Sequence, residues 1–196
     1  MTFRAMAILC AGAAVLGACA ADGQHAQREM PVRVVLNSTT ERAEAVARLL
    51  AEADQAQGDP QKLGVILAAL DTFGARPIAG EQDPVTAWRD KAEVPKTPPY
   101  RGRVLGPAYK AGMLNPGATV RLPQLFDGGR SARVAVATPG QAALDFTVLD
   151  GEAKPVCPPA KARSRECMWT PLFSGRFEIV LTNPSSNAAG YYLVID

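Results

Sequence analysis

Four cysteines, one histidine and nineteen acidic residues are the side chains of this 196-residue sequence from which chemistry could be built. Cys10 and Cys19 lie in or just after an uncharged N-terminal stretch, whereas Cys157 and Cys167 stand with nine residues between them in an otherwise cysteine-free body. Such a pair reads either as a disulfide or as half of a metal site. A structural metal wants four ligands and no third and fourth stand nearby, so the spacing predicts a disulfide. Closing so short a loop stabilises by about 2–3 kcal/mol on the chain-entropy account. Nucleophilic catalysis needs a base beside its nucleophile, and the sole histidine, His25, falls in a polar, aperiodic stretch over 20–30. No G-x-S-x-G, Walker A or G-x-G-x-x-G pattern occurs. Asp127, Asp145 and Asp150 are the carboxylates that come nearest to a Ca²⁺ ligand set, but Asp145 and Asp150 stand an odd number of residues apart and face opposite sides of one strand. The expectation is a chain that is not an enzyme, with no cofactor and no metal.

The chemistry to be expected lies at Cys19. Met1 to Arg4 carries one positive charge, and Ala5 to Ala18 carries none. That is the pattern of a signal peptide over 1–18, too short for a permanent span, which needs roughly 20 apolar residues. Leu16-Gly17-Ala18-Cys19 follows and resembles the bacterial lipobox, in which a branched residue and two small ones precede a cysteine that accepts lipid. The resemblance implies a lipid-attachment role for Cys19 and a membrane contact through that lipid. It also implies an outer-membrane destination, since no aspartate follows the cysteine. Plain secretion by cleavage at the small residues around Cys19 is the competing reading.

These sites need elements to position them. Pro and Gly together supply 33 of 196 residues and aromatics only 6%, which argues for many turns and short elements. The formal net charge of +2 offers no case for nucleic acid as a partner. After a tether and a short valine-rich strand over 19–37, Ser38 and Glu41 have capping-box spacing. Ala43, Val46, Ala47 and Leu50 then form a helical stripe, repeated by Leu63, Ile66, Leu67 and Leu70 after the Asp59-Pro60 start signal, with Gly74 as the stop. Residues 38–74 are therefore predicted as a helical hairpin whose stripes must be covered, by the rest of the chain or by a partner. The proline-dense stretch 75–103 reads as an ordered linker, with one short helix from Pro84 to Lys91 whose Trp88 packs on the hairpin.

From about Val104 the period changes to two. Thr119–Leu122, interrupted at Pro123, Arg133–Ala137, Leu144–Val148, Cys167–Trp169, Phe177–Leu181 and Tyr191–Ile195 read as strands between turn signals such as Asp127-Gly-Gly and Asp150-Gly151. The predicted fold is mainly β with an N-terminal helical hairpin, the β part over 104–196 being an antiparallel β-sandwich or barrel. Within it Leu144, Phe146 and Val148 should point inward, and Trp169 and Phe177 should be core aromatics.

The series Leu144-Asp-Phe-Thr-Val-Leu-Asp150-Gly, Cys167-Met-Trp-Thr-Pro171, Gly175-Arg-Phe-Glu-Ile-Val-Leu-Thr-Asn183 and Tyr191-Tyr-Leu resembles the bacterial pre-peptidase C-terminal domain, above all its short stand-alone relatives in envelope proteins. The resemblance implies a jelly-roll-like sandwich with an accessory, binding role. No protease domain accompanies it in this chain. Lys154, Lys161, Arg163 and Arg165, on the connection 151–166, are the candidate contacts for an acidic envelope protein, lipid headgroup or polysaccharide, against the alternative of a solvated loop. Two functions follow as expectations: a binding or scaffolding module of the cell envelope, or an inhibitor or immunity-type lipoprotein that blocks a secreted hydrolase or toxin.

Overall fold

The computed structural model describes residues 42–93 and 106–196. Cys10, Cys19, His25, the valine-rich stretch, the Ser38/Glu41 pair and residues 94–103 lie outside the described residues. Two helices open the body: α1 (Arg42–Gln55) and α2 (Pro60–Phe73). The Asp59 side chain accepts the Lys62 N–H at 3.0 Å, Pro60 occupies the first turn, and Gly74 closes α2 at φ 65°, a left-handed conformation that favours glycine. The stripe residues Val46, Leu50, Leu63 and Leu67 are all fully buried. Each such side chain contributes about 1.5–3 kcal/mol relative to exposure.

Nine strands follow: β1 (Arg76–Pro77), β2 (Ala108–Leu114), β3 (Thr119–Phe126), β4 (Ala132–Ala137), β5 (Leu144–Leu149), β6 (Pro155–Ala162), β7 (Ser164–Trp169), β8 (Gly175–Thr182) and β9 (Ala189–Ile195), with the short helix α3 (Pro84–Arg89) after β1. They form two sheets, ordered β1-β2-β9-β4-β7 and β3-β8-β5-β6. Taken as an eight-strand set, β2–β9 follow the jelly-roll order, two Greek keys folded into facing sheets. β1 adds a parallel rung at the edge of the first sheet, Arg76 pairing with Ala108.

The first sheet is apolar on both sides, and that decides where the helices go. Between the sheets lie Val134, Val136, Phe146, Val148, Ile179, Leu181, Tyr191 and Leu193. On the outer side Tyr109, Ala135, Ala137, Tyr192 and Val194 share a second core with the stripes of α1 and α2. Ala135 and Ala137 have almost no side chain, so the helix can approach the sheet closely. Glu44 and Arg48 pair at 2.6 Å, and both hydrogen-bond Ser164 on β7, at 3.0 and 3.1 Å. The hairpin therefore packs on the sandwich, giving three layers, helices over sheet over sheet.

Three expectations change. Pro123 does not interrupt its strand, because β3 is a sheet edge, where a missing N–H is tolerated. The connection 151–166 is not a loop: it is β6 and β7 joined at Arg163, with Pro155, Pro158 and Pro159 on another edge strand and register shifts against β5 absorbing them. The described part of the linker is likewise integrated, through β1 and through Trp88, which is 4% exposed and lies 5.9 Å from Tyr192. β2 escaped detection because Lys110 and Gly112 break its pattern. Gly112 is required there, since a Cβ would come within 2.4 Å of the Tyr191 ring.

Asp83 caps α3 through the Val85 N–H at 3.0 Å, and also accepts from Thr86 and from the Tyr109 hydroxyl. Burial by itself would push this carboxyl up, but the bonds from Tyr109, Thr86 and the Val85 N–H outweigh it and hold its pKa below the usual range. Since the folded value lies below the unfolded one, the stabilisation is present above about pH 4 and is lost as pH falls through the folded value. Acidification below about pH 4 should loosen α3 and expose Trp88. In a Trp169→Phe background the fluorescence should shift to the red, and Asp83→Asn should flatten that response; an unchanged acid limb in Asp83→Asn would contradict the assignment.

Candidate functional site

The disulfide Cys157–Cys167 joins β6 to β7, with the two Cα atoms 6.0 Å apart. Those strands are the edges of opposite sheets, so the bond ties the two sheets together on the side where the chain turns from one into the other at Arg163. Both cysteines are buried. A bond of this kind belongs to proteins outside the reducing cytoplasm. Among the described residues no helix is long and apolar enough to cross a membrane.

The four cations singled out from the sequence are not brought together. Lys154 sits in the β5–β6 turn and pairs with Glu152 at 2.7 Å. Lys161 is at the far end of β6, about 23 Å along the strand at 3.3 Å per residue. Arg163, at the β6–β7 corner, donates to Gln141 at 2.9 Å. Arg165 is half-buried, with its Nη1 enclosed and unpartnered at the sandwich edge. The carboxylates considered for calcium are also spread out. Asp127 faces Arg130 in the β3–β4 loop, and Asp150 accepts the N–H groups of Glu152 and Lys154 in its own turn. Phe126, Trp169 and Phe177 form a cluster with centroids 4.8–5.8 Å apart inside that end of the sandwich.

What the fold does assemble is the opposite feature, an apolar pair turned outward. Leu172 and Phe173, in the β7–β8 connection, are 87% and 84% exposed. Their loop is held in place. The Gly129 N–H donates to the Pro171 carbonyl at 2.7 Å, and the Gly128 N–H donates to Ser174 Oγ at 2.9 Å. The backbones are so close that a Cβ on Gly128 would meet Phe173 Cα at 2.8 Å. The Asp127-Gly-Gly turn signal is thus also the seat of the neighbouring loop. Leu125, 65% exposed, and Arg176 are paired across β3 and β8 next to this tip.

Beside the tip runs a groove. One part, of about 360 Å³, is lined by Arg76, Leu125, Phe126, Arg130, Ser131 and Asp196, among others. A second, of about 320 Å³, shares Arg130, Ser131 and Asp196 and adds Arg42 and Arg133. Arg42 donates to Asp196 through Nε at 3.0 Å and through Nη2. Ser131 is the hydroxyl of the groove, and no imidazole lies among the described residues to activate it. The arrangement can hold and contact; it has no paired nucleophile and base.

No protein-family model matches the chain, and no curated protein does. Among solved structures it is similar to PliG of Aeromonas hydrophila, a periplasmic inhibitor of g-type lysozyme, at 17% identity and TM-score 0.35, over 46% of this chain and 84% of that one. It is similar to the pre-peptidase C-terminal domain of Bacillus anthracis collagenase at 11% identity and TM-score 0.36, over 45% and 87%. The mitogen of Yersinia pseudotuberculosis matches at 14% identity and TM-score 0.39, over 46% and 84%. Likeness at this level carries no conclusion about this chain; the β-sandwich rests on the strand order above.

Reducing Cys157–Cys167 should lower stability by about 2–3 kcal/mol, read as a lower melting temperature in dithiothreitol. A Cys157→Ala/Cys167→Ala variant should melt at the same lowered temperature and show no further response to reductant. Equal melting temperatures with and without reductant in the parent chain would mean the bond contributes nothing.

Proposed function

We propose that this chain is an exported, non-enzymatic protein of the cell envelope. On this reading its pre-peptidase C-terminal-like sandwich is a binding module that presents the end formed by loops 127–131 and 170–174. The observation that supports this most is the exposed Leu172–Phe173 pair on a loop pinned by two hydrogen bonds. Exposed apolar pairs cost solubility, and a fixed one meets a partner without the entropy of ordering a loop. The basic connection 151–166, first in line from the sequence, is weaker support, because its cations are dispersed or paired.

A second reading has one observation in its favour. The tip carries two exposed apolar side chains on a loop held by two hydrogen bonds, which suits insertion into a cleft, as an inhibitor of a secreted hydrolase needs. Both readings use the same surface and differ in what it meets.

The surface is tested by placing a photoreactive phenylalanine at position 173 in intact cells, with the same group at Val65, an exposed residue of α2, as the control. An adduct with an envelope component at 173 and none at 65 is expected. A hydrolase in that adduct selects the inhibitor reading, and equal labelling at both positions, or none, overturns the assignment of this end.

Export by the lipid route rests on Cys19. Cys19→Ser should abolish incorporation of labelled fatty acid and move the protein from the membrane to the soluble fraction; unchanged labelling and fractionation would leave plain secretion.

A further inference from the structure

Resting on the assignment of this end as the contact surface, we propose that its occupant is a phospholipid surface, with Leu172 and Phe173 entering the interface and Arg76 and Arg176 meeting phosphates. Two features carry the choice of lipid over protein. The first is area. Two side chains on a loop tip, with Leu125 beside them, offer a few hundred Å² of apolar surface at most, against about 800 Å² per partner in a stable protein interface. A bilayer accepts a protrusion of any outline and needs no matching socket.

The second is charge. Of the carboxylates at this end, Asp127 faces Arg130, Glu152 pairs with Lys154, Asp196 with Arg42, and Asp150 accepts the N–H groups of its own turn. Arg76 and Arg176 are left without a carboxylate partner among the described residues, so the end carries unmatched cations around an apolar tip, the pattern of an interfacial contact.

The test uses the chain from residue 19 carrying Cys19→Ser, so that no acyl group contributes, with vesicles of phosphatidylethanolamine and phosphatidylglycerol. A Phe173→Cys variant then has one reactive thiol, since Cys157 and Cys167 are bonded. An environment-sensitive dye at position 173 should shift to the blue on vesicles, and the same dye on Val65→Cys should not. In co-sedimentation, Leu172→Ser/Phe173→Ser should bind about ten-fold less or weaker still. Arg76→Gln/Arg176→Gln should bind less by a factor on the order of three, with the remainder less sensitive to salt. All four side chains are at the surface, so unchanged melting temperatures keep the comparison clean. No co-sedimentation, equal binding by the Leu172→Ser/Phe173→Ser variant, or a blue shift at both labelled positions overturns the proposal. A protein adduct at 173 in cells with no vesicle binding overturns it too and leaves the binding module standing. No adduct of any kind and no vesicle binding removes both.

Discussion

The structure depends on one sheet being apolar on both faces. In β4 the residues alternate Val134, Ala135, Val136, Ala137, and all four are buried; β9 repeats this with Tyr191, Tyr192, Leu193 and Val194. One face is filled by the second sheet and the other has to be closed by something else. The helical hairpin, too short to be stable by itself, needs a cover as much as the sheet does. Each is the other's solution, and the small side chains of Ala135 and Ala137 set how closely they meet. The ion pair of Arg42 with Asp196 and the Glu44–Arg48–Ser164 cluster stand at the margin of that interface, where they orient the helix and add little stability of their own.

That arrangement leaves the second sheet as the wet one. Its outer face carries Arg121 paired with Glu178 and Thr119 bonded to Thr182, and its edges carry Pro123, Pro155, Pro158 and Pro159. Proline on an edge strand withholds the donor that another chain would need for pairing. The disulfide closes the side where β6 and β7 run along opposite sheets. With a helical cover, proline edges and a covalent staple, the sides of the sandwich offer little to a partner, and contact is left to its ends.

At the other end from the Leu172–Phe173 tip the loops are tied inward. Asn183 is fully buried; its side chain donates to the carbonyls of Leu114 and Asn187 at 3.0 and 2.7 Å and accepts from Ser185 at 2.7 Å. The two ends thus differ in kind. One spends its polar groups on itself, and the other turns apolar side chains outward on a loop held to its neighbour by two hydrogen bonds.

The helices were legible from the sequence because their signals are local. An Asp-Pro start, an apolar stripe at helical spacing and a Gly stop all act within one turn of the chain, and strict alternation in Leu144–Val148 is as local for a strand. The cysteine pair was legible for a different reason: two cysteines in an otherwise cysteine-free body have no other partner. The sequence by itself therefore determined the helices, the strictly alternating strands, the mainly-β class and the bond, but not β2 or β6. Only the tertiary structure decided that Ala135 and Ala137 lie under a helix, that proline-bearing segments are edge strands, and that Lys154 lies a strand's length from Lys161, Arg163 and Arg165. It alone brought loop 127–131 against loop 170–174, and so turned Leu172 and Phe173 outward. Whether two consecutive apolar residues fill a core or stand in solvent depends on what the rest of the chain puts beside them, and no local pattern carries that information.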